Sequence, residues 1–468
     1  MSIEPLQRIC RREMLRRAGS GFGSLALYGL LAEESRASGD RRLNPLAPLP
    51  GHHAARAKHC IFLYMPGGPS HVDLFDPKPR LEAESGKPLP FEKPKLELTK
   101  PGNLLPSPWK FTKNGECGTE VSELFPKIAQ RVDDLCVVRS MVADNINHTG
   151  AALQMNTGEE RFPRPSMGAW VTYGLGTENQ YLPGFVVISP NSVFQGSPLW
   201  GASFLPGTYQ ATWVRDLEHP ISCLKNSGGN LGVQRAQLDA LNRLNNLHKR
   251  ERPIDNQLDA RIASFELAFR MQMAAPEAFD LSHESEATKK LYGLDEKVTD
   301  MFGRQCLLAR RLVERGVRFV QLYDSSSGGW DHHSKIKDLL PQRCVGTDQP
   351  IAALLYDLKS RGLLDETLVI WGGEFGRTPT AQGSDGREHH PFGFTMWLAG
   401  GGVRGGMVHG ATDEYGWHAV ANKVHVHDLH ATILHLMGID HERLTYRWGG
   451  RDYRLTDVSG NVVREIMA

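Results

Sequence analysis

CIFLYMPGGPSHVDLFDPKP, residues 60–79, passes from six apolar residues into a Pro-Gly-Gly turn and then to His71, Asp73 and Asp76. A short unbroken apolar run closed by turn residues reads as a strand buried on both faces, as in a parallel sheet. Its glycines let the chain turn sharply at the strand exit. The imidazole and carboxylates that follow stand at the edge where open α/β sheets assemble their sites.

The same grammar recurs along the chain. LCVVRSM (135–141), GFVVIS (184–189), VRFVQLY (317–323), TLVIWG (367–372) and FTMWLAG (394–400) read as further strands. EVSELFPKIAQRV (120–132), VTDMFGRQCLLARRLVERG (298–316) and DQPIAALLYDLKSRGLL (348–364) place apolar residues three and four apart and read as helices leading into strands. This alternation predicts an α/β fold with a largely parallel sheet and helices on both faces. Between residues 201 and 297 the strand signal lapses, and two charged helices broken near Pro253 suggest an inserted helical cap. Residues 77–116 read as a long surface excursion, and AGGGVRGG (399–406) as a tight turn, because no helix follows it to cradle a phosphate.

The first 37 residues are of another kind. Arg11 and Arg12 precede a Gly-rich apolar stretch too short to span a bilayer of about 30 Å. With Met14 and Leu15 behind the arginines and a small-residue site near Ala37, this reads as a twin-arginine export signal. Residues 38–57 then form a linker and 58–468 one domain. The expected location is periplasmic or secreted, reached through the twin-arginine machinery, with no transmembrane segment once the signal is removed. A net charge of +1, from 54 basic and 53 acidic residues, provides no overall field for nucleic acid or an anionic membrane. The cysteines beyond Cys10 (Cys60, Cys117, Cys136, Cys223, Cys306, Cys344) are scattered without CxxC spacing. Buried thiols and one or two disulfides are both open readings.

Ligand-type residues gather after the strands. His71 and Asp73 follow the first. His148 and Thr149 follow the second, in DNINHTG, and Asp331, His332 and His333 follow the fourth, in GGWDHH. Glu374 and Arg377 follow the fifth, and Arg387, Glu388, His389 and His390 come next in GREHHP. Imidazole with carboxylate suits zinc, manganese or iron, with calcium also among the candidates, and a pair of ions needs about six to eight ligands. Such a centre, holding one or two divalent ions, polarises a phosphoryl or sulfuryl oxygen, while Arg377 and Arg387 offer planar forks for a tetrahedral anion. The plainer reading is that a His or Asp after a strand caps a helix or a turn. Five clusters at one sheet edge weigh toward metal. VHVHDLHATILHLMGI (424–439) carries four more histidines, but its leucines and isoleucines fit a core-facing helix, with His427 and His430 approaching the site only from the side.

Taken together, GGPSHVDLFDPKP, HTGAALQMNTG, GGWDHH, GEFGRTP, GREHHPFGFTMWLAGGGVRGG and RWGGRDYRLTDVSG closely resemble the family known as domain of unknown function 1501. The likeness runs from about Cys60 to Ala468. It implies an alkaline-phosphatase-like, sulfatase-like domain with metal ligands at the C-terminal ends of parallel strands. By motif position, Asp331 and His333 look like the superfamily's Asp and His pair, Glu374 stands where an Asp is usual, and His389 looks like the late histidine ligand. The acidic ligand of the first Gly-rich turn is missing, leaving His71 or Asp73 to substitute. His148 falls where a nucleophilic serine would be, with Thr149 beside it. No cysteine has Pro two and Arg four positions on, which disfavours a formylglycine sulfatase. Two routes follow: Thr149 as nucleophile, or attack by water with His148 as ligand or general base. The resulting expectation is an exported metal-dependent hydrolase of a small-molecule or polysaccharide phosphate or sulfate ester. A non-catalytic exported binding protein that keeps the fold is the alternative.

Overall fold

The computed structural model describes residues 44–92, 100–191, 193, 196–221, 230–251, 256–325 and 328–468. The export signal and Cys223 therefore lie outside the described residues. The C-terminal part of the linker packs on the domain, with Leu46 and Ala57 buried and Leu49 N donating to Leu175 O at 2.9 Å.

The central sheet contains β1 (His59–Tyr64), β2 (Leu135–Val142), β3 (Phe185–Ile188), β4 (Thr212–Val214), β5 (Phe319–Tyr323) and β6 (Thr367–Gly372). A hairpin of β7 (Gly376–Gln382) and β8 (Gly386–His390) leaves the sheet edge, and the chain returns through β9 (Phe394–Ala399), β10 (Met407–His409) and β11 (Val424–His425). The sheet order is β10-β2-β9-β6-β1-β5-β3-β4, with β11 also on β2. All pairings are parallel except those of β9, which runs against both β2 and β6. All six strands read from the sequence belong to this sheet, and the largely parallel α/β class is what the structure shows.

Alternation along β1 divides the core. Ile61 and Leu63 face a cluster containing Leu307 and Leu354, while Cys60, Phe62 and Tyr64 face one containing Met155, Trp170 and Ile433. The first cluster is covered by the helices Asp300–Glu314 and Ile336–Ser360, and the second by Met167–Leu175, Val426–Leu436 and α1 (His148–Thr157). Helices thus cover both faces.

Three local expectations are corrected. Residues 120–132 are not one helix: Thr119–Ser122 pairs with Phe111–Asn114 as a hairpin, Pro126 interrupts, and Ile128–Asp134 is a 3-10 helix. The 77–116 excursion is not all surface, since Leu81, Leu89 and Leu104 are buried with Val72, Tyr415 and Trp417. The sheet also continues past residue 201, through β4 beside β3, before the helices Leu231–Glu251 and Asn256–Phe279. Cys60, Cys136, Cys306 and Cys344 are buried free thiols, and Cys117 is free and exposed. Among the described residues no helix is long and apolar enough to cross a membrane.

Candidate metal centre

Parallel strands end together: Tyr64 is level with Tyr323 on β5 and with Gly372 on β6. The loops beyond these ends bring distant residues to one point. His148 opens α1, Asp331 and His333 follow β5, and His389 sits on β8; one donor atom from each lies within 4.8 Å of the others. Asp331 is at the centre. Its Oδ1 is 2.8 Å from His333 Nε2 and 3.5 Å from His389 Nε2, and its Oδ2 is 3.2 Å from His148 Nε2.

The far side of each imidazole decides what the near side can do. His148 Nδ1 is 2.6 Å from Glu374 Oε1, His389 Nδ1 is 2.8 Å from the carbonyl of Ile146, and His333 Nδ1 meets Gln382 Oε1. A carboxylate or carbonyl oxygen only accepts, so each Nδ1 carries the proton and donates it outward. All three Nε2 atoms then face the centre, the arrangement in which protein histidines bind metal. Three imidazoles and one carboxylate suit zinc and its first-row neighbours, and donors on one such ion stand roughly 3–4 Å apart. The residues fit a single divalent ion.

Electrostatics tightens the group. Burial works against a charged His148, but the Asp331 and Glu374 carboxylates outweigh it and push its pKa up to about 9. Burial would raise Asp331, yet His148, His333, His389 and Arg377 together hold it far below the usual carboxylate range. For His333 the contact with Asp331 is the main influence, and it raises the pKa. A divalent ion would take over the role that these protons play in stabilising Asp331.

Other expected site residues have different surroundings. Glu374 stands behind His148: Oε1 accepts from Gly67 N at 2.9 Å as well as from His148, and Oε2 accepts from Tyr64 Oη at 3.0 Å. Asp73 is fully buried and takes the Arg387 fork, with Nε to Oδ2 at 2.7 Å and Nη2 to Oδ1 at 2.9 Å. His71 donates through Nε2 to Gly416 O at 2.8 Å and stacks on His390. Neither His71 nor Asp73 joins the four-residue group. Both arginines are occupied. Arg377 holds Asp331 Oδ1 at 2.5 Å and the carbonyls of Gly67, Gly68 and Arg387, and Arg387 adds Leu105 O and Thr378 O to Asp73. Their donors organise the site floor instead of awaiting an anion. Thr149 is exposed in the first turn of α1, its backbone N–H capped by Asn147 Oδ1 at 2.9 Å. His427 and His430 lie at the other end of that helix, donating to the carbonyls of Gly158 and Met155. They serve as C-terminal caps.

The sequence reading missed Tyr64 and Gln382. Gly383-Ser-Asp-Gly386 is a turn signal that pairs Gln382 with Gly386 and so places Gln382 at the site.

Among curated proteins, none matches this chain. Solved structures that share its general arrangement include Ps i-CgsB in complex with k-i-k-neocarrahexaose (9% identity, 81% of this chain and 72% of that one, TM-score 0.38). The PsFucS1 sulfatase from Pseudoalteromonas sp. is 12% identical over 83% of this chain and 69% of its own, with TM-score 0.35. The TAB5 alkaline phosphatase mutant with Mg bound is 9% identical over 76% and 95%, with TM-score 0.31. At such identities and scores no residue role passes from them to this chain. The family described as protein of unknown function (DUF1501) matches residues 57–467, and the chain belongs to it.

Proposed function

We propose that this protein is an exported metal-dependent hydrolase of phosphate or sulfate esters, built on one divalent ion held by His148, Asp331, His333 and His389. The observation that supports it is the common orientation of three histidines, each with Nδ1–H directed outward and Nε2 directed at Asp331. When bound, the ion supplies Lewis acidity toward an ester oxygen.

The chain's own residues prepare that chemistry. Arg377 anchors the Asp331 carboxylate and, through the carbonyls of Gly67 and Gly68, the turn after β1. Glu374 holds the proton of His148 at Nδ1. A cavity of about 20 Å³ lined by Tyr64, Gly67, His148, Tyr323 and Glu374 has room for one water beside the imidazole. Thr149 is exposed and outside the group, so attack by water is favoured over a side-chain nucleophile.

The test is to express residues 38–468, determine bound metal by mass spectrometry, and assay aryl sulfates, phosphate monoesters and phosphodiesters. Asp331→Ala and His333→Ala should lose metal and turnover together. Full metal content in both variants would refute the centre. A loaded protein inert on every ester class would instead support the non-catalytic binding protein.

A further inference from the structure

Behind His333 and His389 lies a second buried carboxylate to which no role has been given. Glu388 is 1% exposed, and its Oε1 is 3.8 Å from His333 Nδ1 and 3.9 Å from His389 Nδ1. The β7–β8 register shifts between Arg387 and His389, a bulge at Glu388 itself. Bulges re-aim side chains next to sites. Here the shift brings Glu388 and His389 to the same side, with the backbone N–H of His389 donating to Glu388 Oε1 at 3.0 Å.

We propose that Glu388, acting through Gln382, is the positioning residue that orients the His333 ring toward the ion. This rests on the metal-centre reading above. Gln382 Nε2 donates to Glu388 Oε2 at 3.1 Å, and a carboxylate oxygen accepts only from the amide nitrogen. That contact fixes which way the amide points: its Oε1 must face His333. Facing an acceptor, His333 Nδ1–H donates to it, and the ring is held with Nε2 turned toward Asp331 and the ion position. Glu388 thereby governs a donor atom it does not touch. Glu388→Gln removes the constraint, because a side-chain amide at 388 can donate to Gln382 Oε1. The Gln382 amide then turns its nitrogen toward His333, Nδ1–H loses its acceptor, and the ring is no longer held with Nε2 toward the ion.

The experiment measures zinc affinity by chelator competition, and the hydrogen-bonded His333 Nδ1–H in the metal-free protein by imidazole proton and nitrogen NMR. Glu388→Gln should weaken zinc about 10- to 100-fold, the usual effect of losing a ligand's outer partner. It should also remove the exchange-protected His333 Nδ1–H signal. Gln382→Met, at a partly exposed position, should weaken zinc similarly, which covers the case in which Glu388→Gln misfolds. Zinc affinity within threefold of wild type in either folded variant overturns the proposal. An unchanged His333 Nδ1–H signal in folded Glu388→Gln does so too. Should wild type bind no divalent ion, the metal centre fails, while the metal-free Nδ1–H signal still judges the link from Glu388 to His333.

Discussion

His148 Nδ1 lies 2.6 Å from Glu374 Oε1, joining the first turn of α1 to the loop that leaves β6. Through this contact a buried carboxylate orients a ring whose other nitrogen faces Asp331. Glu374→Gln should keep the fold, since an amide can still bond Tyr64 or Gly67. Metal should bind about tenfold or more weakly, as read by competition with a chromophoric chelator.

Three imidazoles and one carboxylate should select borderline transition metals over hard alkaline-earth ions. Zinc, cobalt or manganese should raise the melting temperature of chelator-treated protein. At a hundredfold excess over its dissociation constant, a ligand adds about 2.7 kcal/mol of stability. Millimolar calcium should neither protect nor displace zinc, and calcium protection equal to that of zinc would contradict this donor set.

Asp73 and Arg387 should matter for folding more than for metal. Both are fully buried and joined by a fork of two hydrogen bonds. Removing one member of such a pair strands its partner's charge and destabilises by about 3–5 kcal/mol. Asp73→Ala should therefore lower the urea midpoint sharply, while its folded fraction still binds metal. Wild-type stability in this variant would show that Arg387 finds another acceptor.

Gly67 has φ of +111°, and a Cβ there would stand 2.6 Å from Asp331 N. Gly67→Ala imposes both backbone strain and displacement of the Asp331 segment, together destabilising by roughly 1–3 kcal/mol. Metal occupancy should fall with it, measurable by mass spectrometry on the purified variant.

His430 predicts an acid limb of stability. It is fully buried, and burial first, then the charge of His427, lowers its pKa to about 3, while its bond to Met155 O opposes the shift. Below pH 6.5 the unfolded chain binds a proton that the folded chain refuses, so stability is lost as pH falls, by about 1.4 kcal/mol per unit until about pH 3. His430→Gln, which can still donate to Met155, should reduce the loss between pH 6.5 and 5 by about 2 kcal/mol. Identical urea midpoints against pH for both proteins would contradict this.

The sheet was legible because each parallel strand is a continuous apolar run with a turn behind it. His148, Asp331, His333 and His389 were legible for a related reason, since strand exits in a parallel sheet meet at one edge. Asp73 was not, because its chemistry is decided by Arg387, 314 residues away. A carboxylate such as Glu374 has the same one-dimensional signature whether it faces an ion or an imidazole. The β7–β8 hairpin was hidden by its composition: GRTPTAQ contains a proline and no apolar alternation, and a bulge breaks its partner's period.

The lone reversed strand has a further consequence. Because β9 runs backwards, its first residue and the last residue of β6 are at the same rim, and the chain between them departs and returns without crossing the sheet. Arg377, Gln382, Glu388 and His389 all travel in that one excursion. Such a detour can lengthen, shorten or change its residues without disturbing any pairing of the central sheet, so ligand, tether and polarity are remodelled together while the frame stays as it is.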